Sequence, residues 1–210
     1  MSLNTHKILD LRDVDKSALE AQCCAYAETL SYWNSITNLV STGDVDNLLV
    51  NLINESITLL QHEELEVGSR VLDIGSGAGI PAFPLKFARP DLNMTLIEAR
   101  RMKAAFLRRV VDELSLQNVT VIHDRIGAEF KMPSWVGQFD MITSRGVGQT
   151  VKLFNYLRPF LRTGGSICFF KGSSVSKDAE ALRDESDAEI RIHEVSRSIS
   201  LLVVQPDFER

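Results

Sequence analysis

Residues Val71 to Pro81 read Val-Leu-Asp-Ile-Gly-Ser-Gly-Ala-Gly-Ile-Pro. An apolar run enters a turn with glycine at 75, 77 and 79, and a helix-length segment follows. Glycine takes positive φ readily and lets a backbone approach a ligand closely. In doubly wound sheets, ligands bind at the carboxyl ends of the strands beside this first turn. Two carboxylates bracket it: Asp73 lies two residues before Gly75, and Glu98 closes the next apolar run, 23 residues after Gly75. A carboxylate placed like Glu98 can accept hydrogen bonds from both hydroxyls of a ribose. The frame is not the dinucleotide fingerprint, whose last glycine is replaced here by Ile80, and no Gly-Lys-Ser/Thr follows as a P-loop requires. Acids at this turn disfavour a pyrophosphate and suit a ligand that carries positive charge. The plainer reading of each acid is a solvated strand end, with glycines that only make a turn.

Taken together, an acid, Gly-x-Gly-x-Gly and a second acid closing strand two resemble the S-adenosylmethionine site of Rossmann-like methyltransferases. That resemblance implies that Asp73, Gly75, Gly77, Gly79 and Glu98 hold the cofactor, which carries an α-ammonium and a sulfonium. The acceptor must then be a nucleophile. Cytosine C5 methylation uses a cysteine, and the only candidate, Cys168, sits in an apolar run and reads as core. Methylases of exocyclic amines carry Asp/Asn-Pro-Pro-aromatic after strand four, where this chain has Thr143-Ser144-Arg145-Gly146. An arginine there suits an anionic partner, such as the cofactor carboxylate or an RNA phosphate. A ring nitrogen such as guanine N7 has a free lone pair, so positioning without a general base is enough.

The elements that must position these residues follow from periodicity. Before residue 68 the pattern is helical. Leu19, Cys23, Tyr26, Leu30 and Trp33 share one helix face, with Asp15 as its cap. A second helix carries Leu48, Leu49, Leu52, Ile53, Ile57 and Leu60, after a polar turn over Asn34 to Asp46 that contains Thr42-Gly43-Asp44. After residue 68, buried strands are expected at Val71–Ile74, Met94–Ile97, Val119–Ile122, Phe139–Ile142 and Ser166–Phe170. Helices are expected at Ile80–Ala88, Arg101–Leu116 and Thr150–Leu161. This alternation predicts an α/β, Rossmann-like fold with a mostly parallel sheet and helices on both faces. Ile190–Val195 and Leu201–Val204 are close enough to form an antiparallel hairpin at the sheet edge. Asp124–Glu129 and Gly172–Ser176 read as loops. The expected division is a helical extension over 1–65 and a methyltransferase-like domain over 66–210.

At 210 residues the chain can bury its own core without disulfide or metal staples. Its composition, 44% hydrophobic and 24% charged, is that of a globular protein rather than a disordered one. No apolar run approaches a membrane span, and Met1 to Lys16 has no apolar core of a secretory signal. Three cysteines, two of them adjacent, are neither a disulfide framework nor a zinc spacing. A cytoplasmic protein without a metal, acting as a monomer away from membranes, is expected. The net charge of −5 means that any nucleic-acid contact must rest on a local basic patch.

A wider resemblance follows from residues spread over almost the whole chain. Tyr32-Trp33-Asn34-Ser35-Ile36-Thr37-Asn38-Leu39 is similar to a W-N-x-x-x-N-L segment. Asp73-Ile-Gly-Ser-Gly-Ala-Gly-Ile-Pro-Ala-Phe-Pro-Leu followed by Ala88-Arg-Pro is similar to D-V-G-x-G-x-G-x-P-G-x-P-L…R-P. Phe106-Leu107, Phe139-Asp140, Ser144-Arg145 and Lys171-Gly172 match in order. These belong to the small-subunit ribosomal RNA guanine-N7 methyltransferases, the glucose-inhibited division protein B or RsmG family. The resemblance implies S-adenosyl-L-methionine as cofactor and small-subunit ribosomal RNA, or the small ribosomal subunit, as partner. It implies cofactor contacts from Gly75, Ile80 and Glu98, and from the backbone of Ile126-Gly127 beside the adenine. Arg125 and Arg145 would line the cleft between cofactor and RNA, and Lys171 and Asn38 would face the substrate. Arg145, Arg125 and Lys171 are thus the expected catalytic set, acting by orientation. The chain departs from the family at Asn51-Leu52-Ile53-Asn54-Glu55-Ser56, where the family has Arg-His-x-x-Asp-Ser, and at Ser200, where it has an arginine.

Arg100, Arg101, Lys103, Arg108 and Arg109 place five cations in ten residues. Arg101 and Arg108 lie two turns apart on one side of a helix, as a phosphate-binding surface or as a solvated face. Trp33 is either a stacking platform or core, and His123 either a base or a polar strand end. His6, His62 and His193 carry no signal, and the six acids between Asp178 and Glu189 read as a solvated helix and loop. Two other readings stay open: a diverged relative that methylates another RNA or a small molecule, and a binding module that keeps the cofactor pocket without turnover.

Overall fold

The computed structural model describes residues 3–4, 7–9, 11–41 and 45–207, without the side chains of 45 and 46. The turn Thr42–Asp44 and His6 lie outside the described residues. Seven strands form one sheet: β1 (Arg70–Ile74), β2 (Asn93–Glu98), β3 (Val119–His123), β4 (Phe139–Arg145), β5 (Leu161–Lys171), β6 (Glu189–Glu194) and β7 (Ser200–Gln205). Their order is β3-β2-β1-β4-β5-β7-β6. The first five run parallel, and β7 pairs antiparallel with both β5 and β6. The expected parallel sheet and edge hairpin are both present, with β7 seated between β5 and the outermost strand. Val71 to Ile74 are all buried, as a strand covered on both faces must be.

Helices α1 (Lys16–Asn34), α2 (Val45–Ile57), α3 (Ala82–Ala88), α4 (Arg101–Glu113), α5 (Thr150–Leu157) and α6 (Val175–Glu185) cover the sheet. The Asp15 carboxylate caps α1 by accepting from the Ala18 N–H at 3.1 Å. Leu19, Cys23, Tyr26 and Leu30 are buried along the expected face, and Trp33 is half-buried against Phe106 with ring centroids 6.0 Å apart. Trp33 is therefore a packing residue. Helix α3 begins only at Ala82, because the glycine turn continues through Pro81. Helix α4 stops at Glu113, and Ser115 takes a φ of +49° just beyond it. The segment Gly172–Ser176 is only partly a loop. Helix α6 starts at Val175, and its buried side is just Ala179 and Leu182, too sparse a pattern to mark its start.

Two apolar layers sandwich the sheet. One gathers Leu72, Ile142, Phe154, Phe169 and Leu182 beneath α5 and α6. The other runs without a break from Leu19, Tyr26 and Ile53 through Phe83 and Phe106 to Cys168 and Val203. The second layer crosses the expected boundary at residue 65, so the helical extension is one wall of the core. Polar ties reinforce the crossing. Arg89 donates to the Leu65 carbonyl and to Asp91, and Asp91 accepts the Gly68 N–H. Outside these ties, His62 stacks on His193 with centroids 4.2 Å apart, joining the turn after α2 to β6.

A buried tie between the two parts is Tyr26. It is fully buried, its ring lies edge-on to Phe83 and Phe87, and its hydroxyl donates to the Ala78 carbonyl at 2.6 Å. Ala78 belongs to the glycine turn, so α1 holds that turn from behind. Tyr26→Phe keeps the ring and strands the carbonyl. We expect it to lower the urea midpoint by the equivalent of about 1–3 kcal/mol at constant m. An unchanged midpoint would remove this bond from the account of the turn.

Candidate active site

A cavity of about 590 Å³ opens at the carboxyl ends of β1, β2 and β4. Its floor is the glycine turn, one wall is Glu98, Ala99, Arg100 and Lys103, and the facing wall is Arg145 to Gly148. Its roof comes from Leu39, Val40 and Ser41 and from Leu48 and Leu52 of α2. Asn34 shapes that roof, since its side-chain oxygen accepts the N–H groups of Leu39 and Val40 at 2.8 and 3.0 Å.

The glycines of the floor do different work. Gly75 has φ +70°, and a Cβ there would lie 2.3 Å from Val147 Cγ2. Gly79 does not line the cavity; its Cβ would strike the Phe83 ring, so it is glycine for packing against α3. Gly77 donates its N–H to Glu98 Oε2 at 2.9 Å, while Glu98 Oε1 accepts from the Arg100 N–H at 2.7 Å. Glu98 is therefore buried, lines the cavity and staples the turn to the start of α4.

Asp73 sits one layer lower. Its strand position opposes Thr143 of β4, and Oδ1 accepts the Thr143 hydroxyl at 2.6 Å. It is 1% exposed, does not line the cavity, and its Oδ2 has no hydrogen-bond partner. Burial raises its pKa to about 6, against the Ser76 and Thr143 hydrogen bonds that lower it.

Arg145 ends β4 and lines the cavity. One face of its guanidinium lies over Phe170 at 5.6 Å. Nη2 donates to Glu55 Oε2 at 2.5 Å, Glu55 Oε1 accepts the Ser196 hydroxyl at 2.7 Å, and Nη1 is buried without a partner. Sequence reasoning met Glu55 only as a departure from the family's aspartate and gave it no role in the site. It follows Leu48 and Leu52 at helical spacing on the same side of α2, and a carboxylate on that apolar stripe was the available signal.

Arg125 also lines the cavity, as does Ile80, and so do Arg100 and Lys103. Four cations thus face one carboxylate, Glu98, in a chain whose net charge is −5. Arg100 and Arg125 are exposed. Burial and the neighbouring Arg100 lower the pKa of Lys103.

Other expected site residues lie elsewhere. Lys171 is on the opposite face of the sheet from Arg145, over Phe169 and 3.4 Å from Asp178 of α6, because successive strand residues alternate faces. Ile126 and Gly127 line a separate cleft with Phe130, Pro133 and Phe160, since the chain turns away from the cavity after Arg125. Asn38 is exposed at the rim beside Leu39. Arg101 and Arg108 are exposed on α4 outside the cavity, and Arg108 donates to the Val121 carbonyl. Arg109 pairs with Glu113 and is not part of an open patch. His123 Nε2 lies 3.2 Å from the Ala99 carbonyl, so its ring is engaged with backbone. Cys168 is fully buried, and burial pushes its thiol pKa far up. Among the described residues no cluster of three His, Cys, Asp or Glu could hold a metal.

These donors and acceptors fit S-adenosylmethionine. Glu98 offers a carboxylate for a ribose, and the turn leaves open backbone at Gly77. Comparison with known proteins agrees. A family model described as GidB, rRNA small subunit methyltransferase G, matches residues 19–201. Ribosomal RNA small subunit methyltransferase G of Lachnoclostridium phytofermentans is 31% identical over 168 residues, covering 80% of this chain and 69% of that one. Its counterpart in Sorangium cellulosum is 39% identical over 167 residues, covering 79% and 70%. Among solved structures, a SAM dependent methyltransferase from Aquifex aeolicus superposes with a TM-score of 0.63 at 17% identity, covering 83% of this chain and 97% of that one. The ribosomal protein L11 methylase of Lactobacillus delbrueckii subsp. bulgaricus gives 0.59 at 16% identity, covering 80% and 82%. At such identities these structures speak for the fold alone.

Asp73 gives the site a pH signature. Its folded pKa of about 6 exceeds the ordinary 3.8, so the folded chain binds this proton more tightly than the unfolded chain. The stability it contributes is fully present below about pH 4 and is lost as pH rises through about 6. Asp73→Asn removes the titration. The stability of the variant relative to wild type should therefore rise between pH 4 and pH 6, as read from urea midpoints. A difference that stays constant over that range would rule the carboxyl out as the source.

Proposed function

The chain belongs to the rRNA small subunit methyltransferase G family, and from that premise we propose that it methylates N7 of a guanine in small-subunit ribosomal RNA. S-adenosyl-L-methionine is the methyl donor; when bound, it supplies an electrophilic methyl group on a sulfonium. The observation that carries the reading is the basic cavity built on a glycine turn, with Glu98 on one side and Arg145 on the other.

The chain's own residues bind and orient. Gly75, Gly77, Ile80 and Glu98 hold the cofactor, with Glu98 accepting from the ribose. Asp73 supports the turn from below rather than touching the ligand. Arg100, Lys103 and Arg125 neutralise phosphates at the mouth of the cavity, and Arg101 and Arg108 extend that track along α4. Arg145 faces the acceptor base. Guanine N7 carries no proton and keeps its lone pair in the ring plane, so in the transfer step the chain's residues would need only to hold that lone pair in line with the methyl group that S-adenosylmethionine would supply. No proton moves in that step, which is why a site without a free histidine or thiol suffices. The separate cleft at Ile126 and Gly127 and the ion-paired Lys171 lie outside this set, and Asn38 stands at the rim where RNA enters.

The substrate is the small ribosomal subunit, and the reaction belongs to the cytoplasm. No helix among the described residues is long and apolar enough to cross a membrane. One chain carries every residue of the cavity, so a monomer is sufficient.

Radiolabelled methyl transfer to small subunits lacking N7-methylguanosine tests the reading. Label should map to one guanine, and none should appear on subunits already methylated. Label at another atom or on another RNA would overturn the substrate. Glu98→Gln turns a donor toward the N–H groups of Gly77 and Arg100. It should weaken S-adenosylhomocysteine binding about tenfold or more by calorimetry, a loss of about 1.4 kcal/mol or greater. Unchanged affinity would remove Glu98 from the cofactor site.

A further inference from the structure

Arginine reads guanine most often as a fork, with one N–H on O6 and one on N7. That contact is incompatible with methylation at N7, because a donor on N7 occupies the lone pair that must attack. Arg145 is restrained from that fork. One N–H of its Nη2 is given to Glu55 at 2.5 Å, which fixes the orientation of the guanidinium plane, and the Glu55 carboxylate is held on its other oxygen by Ser196. Phe170 covers one face of the guanidinium, and Nη1 lacks a protein acceptor.

We propose that Glu55 is a positioning residue that makes Arg145 a single-handed reader of the target base, donating to guanine O6 while leaving N7 free. The inference rests on the guanine-N7 reading and deepens it. Glu98 closes β2 and Arg145 closes β4, on opposite sides of the turn at the end of β1. With a ribose held at Glu98, the acceptor base enters on the Arg145 side. Leu48 and Leu52, on the same stripe of α2 as Glu55, give that side an apolar roof for the face of a base. Charge adds a second reason for Glu55. The methylated guanine carries a positive charge, and an unpaired guanidinium beside it would oppose that charge as it develops. Paired with Glu55, Arg145 donates a hydrogen bond from a group that is neutral overall.

Subunits reconstituted with a base analogue at the methylated guanine test the O6 contact without any change to the enzyme. Inosine keeps O6 and N7 and loses the exocyclic amine; 2-aminopurine keeps N7 and loses O6. Wild-type enzyme should act on inosine at about the full rate and lose about tenfold or more in kcat on 2-aminopurine. In R145M the change from guanine to 2-aminopurine should bring little further loss. The same penalty in both enzymes, or none in wild type, would overturn the contact. For Glu55, E55Q should lower kcat about tenfold while KM for the subunit and affinity for S-adenosylhomocysteine stay within about twofold. E55D, which keeps the charge, should retain more activity than E55Q, and S196A should lose less than either. A loss in E55Q confined to KM or to cofactor affinity, or an unchanged kcat, would overturn the positioning role. Wild-type labelling of the unmodified guanine is run first. Its failure counts against the proposed function, whereas normal labelling with additive penalties counts against this inference alone.

Discussion

A tyrosine hydroxyl buried behind the glycine turn ties the first helix to the floor of the cavity. Tyr26 comes from the first helix, and the carbonyl it serves, that of Ala78, lies in the turn that floors the cavity. A turn with three left-handed glycines has little stiffness of its own. Here it is fixed from behind by Tyr26, from the side by Glu98 and through its first N–H groups by the Ile97 carbonyl. The N-terminal helices are thus part of the machinery that shapes the cavity. Their apolar faces merge with the sheet's own core, and one of them supplies the carboxylate that grips Arg145.

Electrostatics explains how an acidic chain handles a polyanion. Excess negative charge is spread over the surface, including the six acids between Asp178 and Glu189 near α6. The cations at the mouth of the cavity sit across the sheet from α6, where Arg100 and Arg125 remain free of ion pairs among the described residues. At a Debye length of about 8 Å in physiological salt, the distant acids are largely screened from a phosphate bound at the cavity. Local arrangement therefore outweighs the net value of −5.

Much of the fold was legible in the sequence because its signals are local. Strands β1, β2, β4 and the second half of β5 are short buried apolar runs that stand out in the sequence, whereas β3, expected to be buried, lies at the sheet edge and is half-exposed. The glycine turn and Glu98 could be located from spacing alone, since the first βα turn has one geometry that serves a ligand. The start of α6 was not legible, because a helix with two buried anchors leaves almost no period. Sidedness was harder. The family resemblance placed Lys171 in one set with Arg145, yet one residue of strand register decides which face it takes. Glu55 was hidden for a different reason: its partners, Arg145 and Ser196, lie 90 and 141 residues away, and only the assembled sheet brings them together.

The position of β7 has a bearing on how the chain is made. Strand β6 leaves the ribosome before β7, but in the sheet β7 separates it from β5. The emerging β6 therefore has no neighbour to pair with until the following strand arrives and slots in between. The turn joining these two strands also carries Ser196, the last contact that fixes Glu55. Synthesis consequently assembles the floor and walls of the cavity before their final brace. A nascent chain holds the outline of the site before it holds the rigidity that discriminates a target.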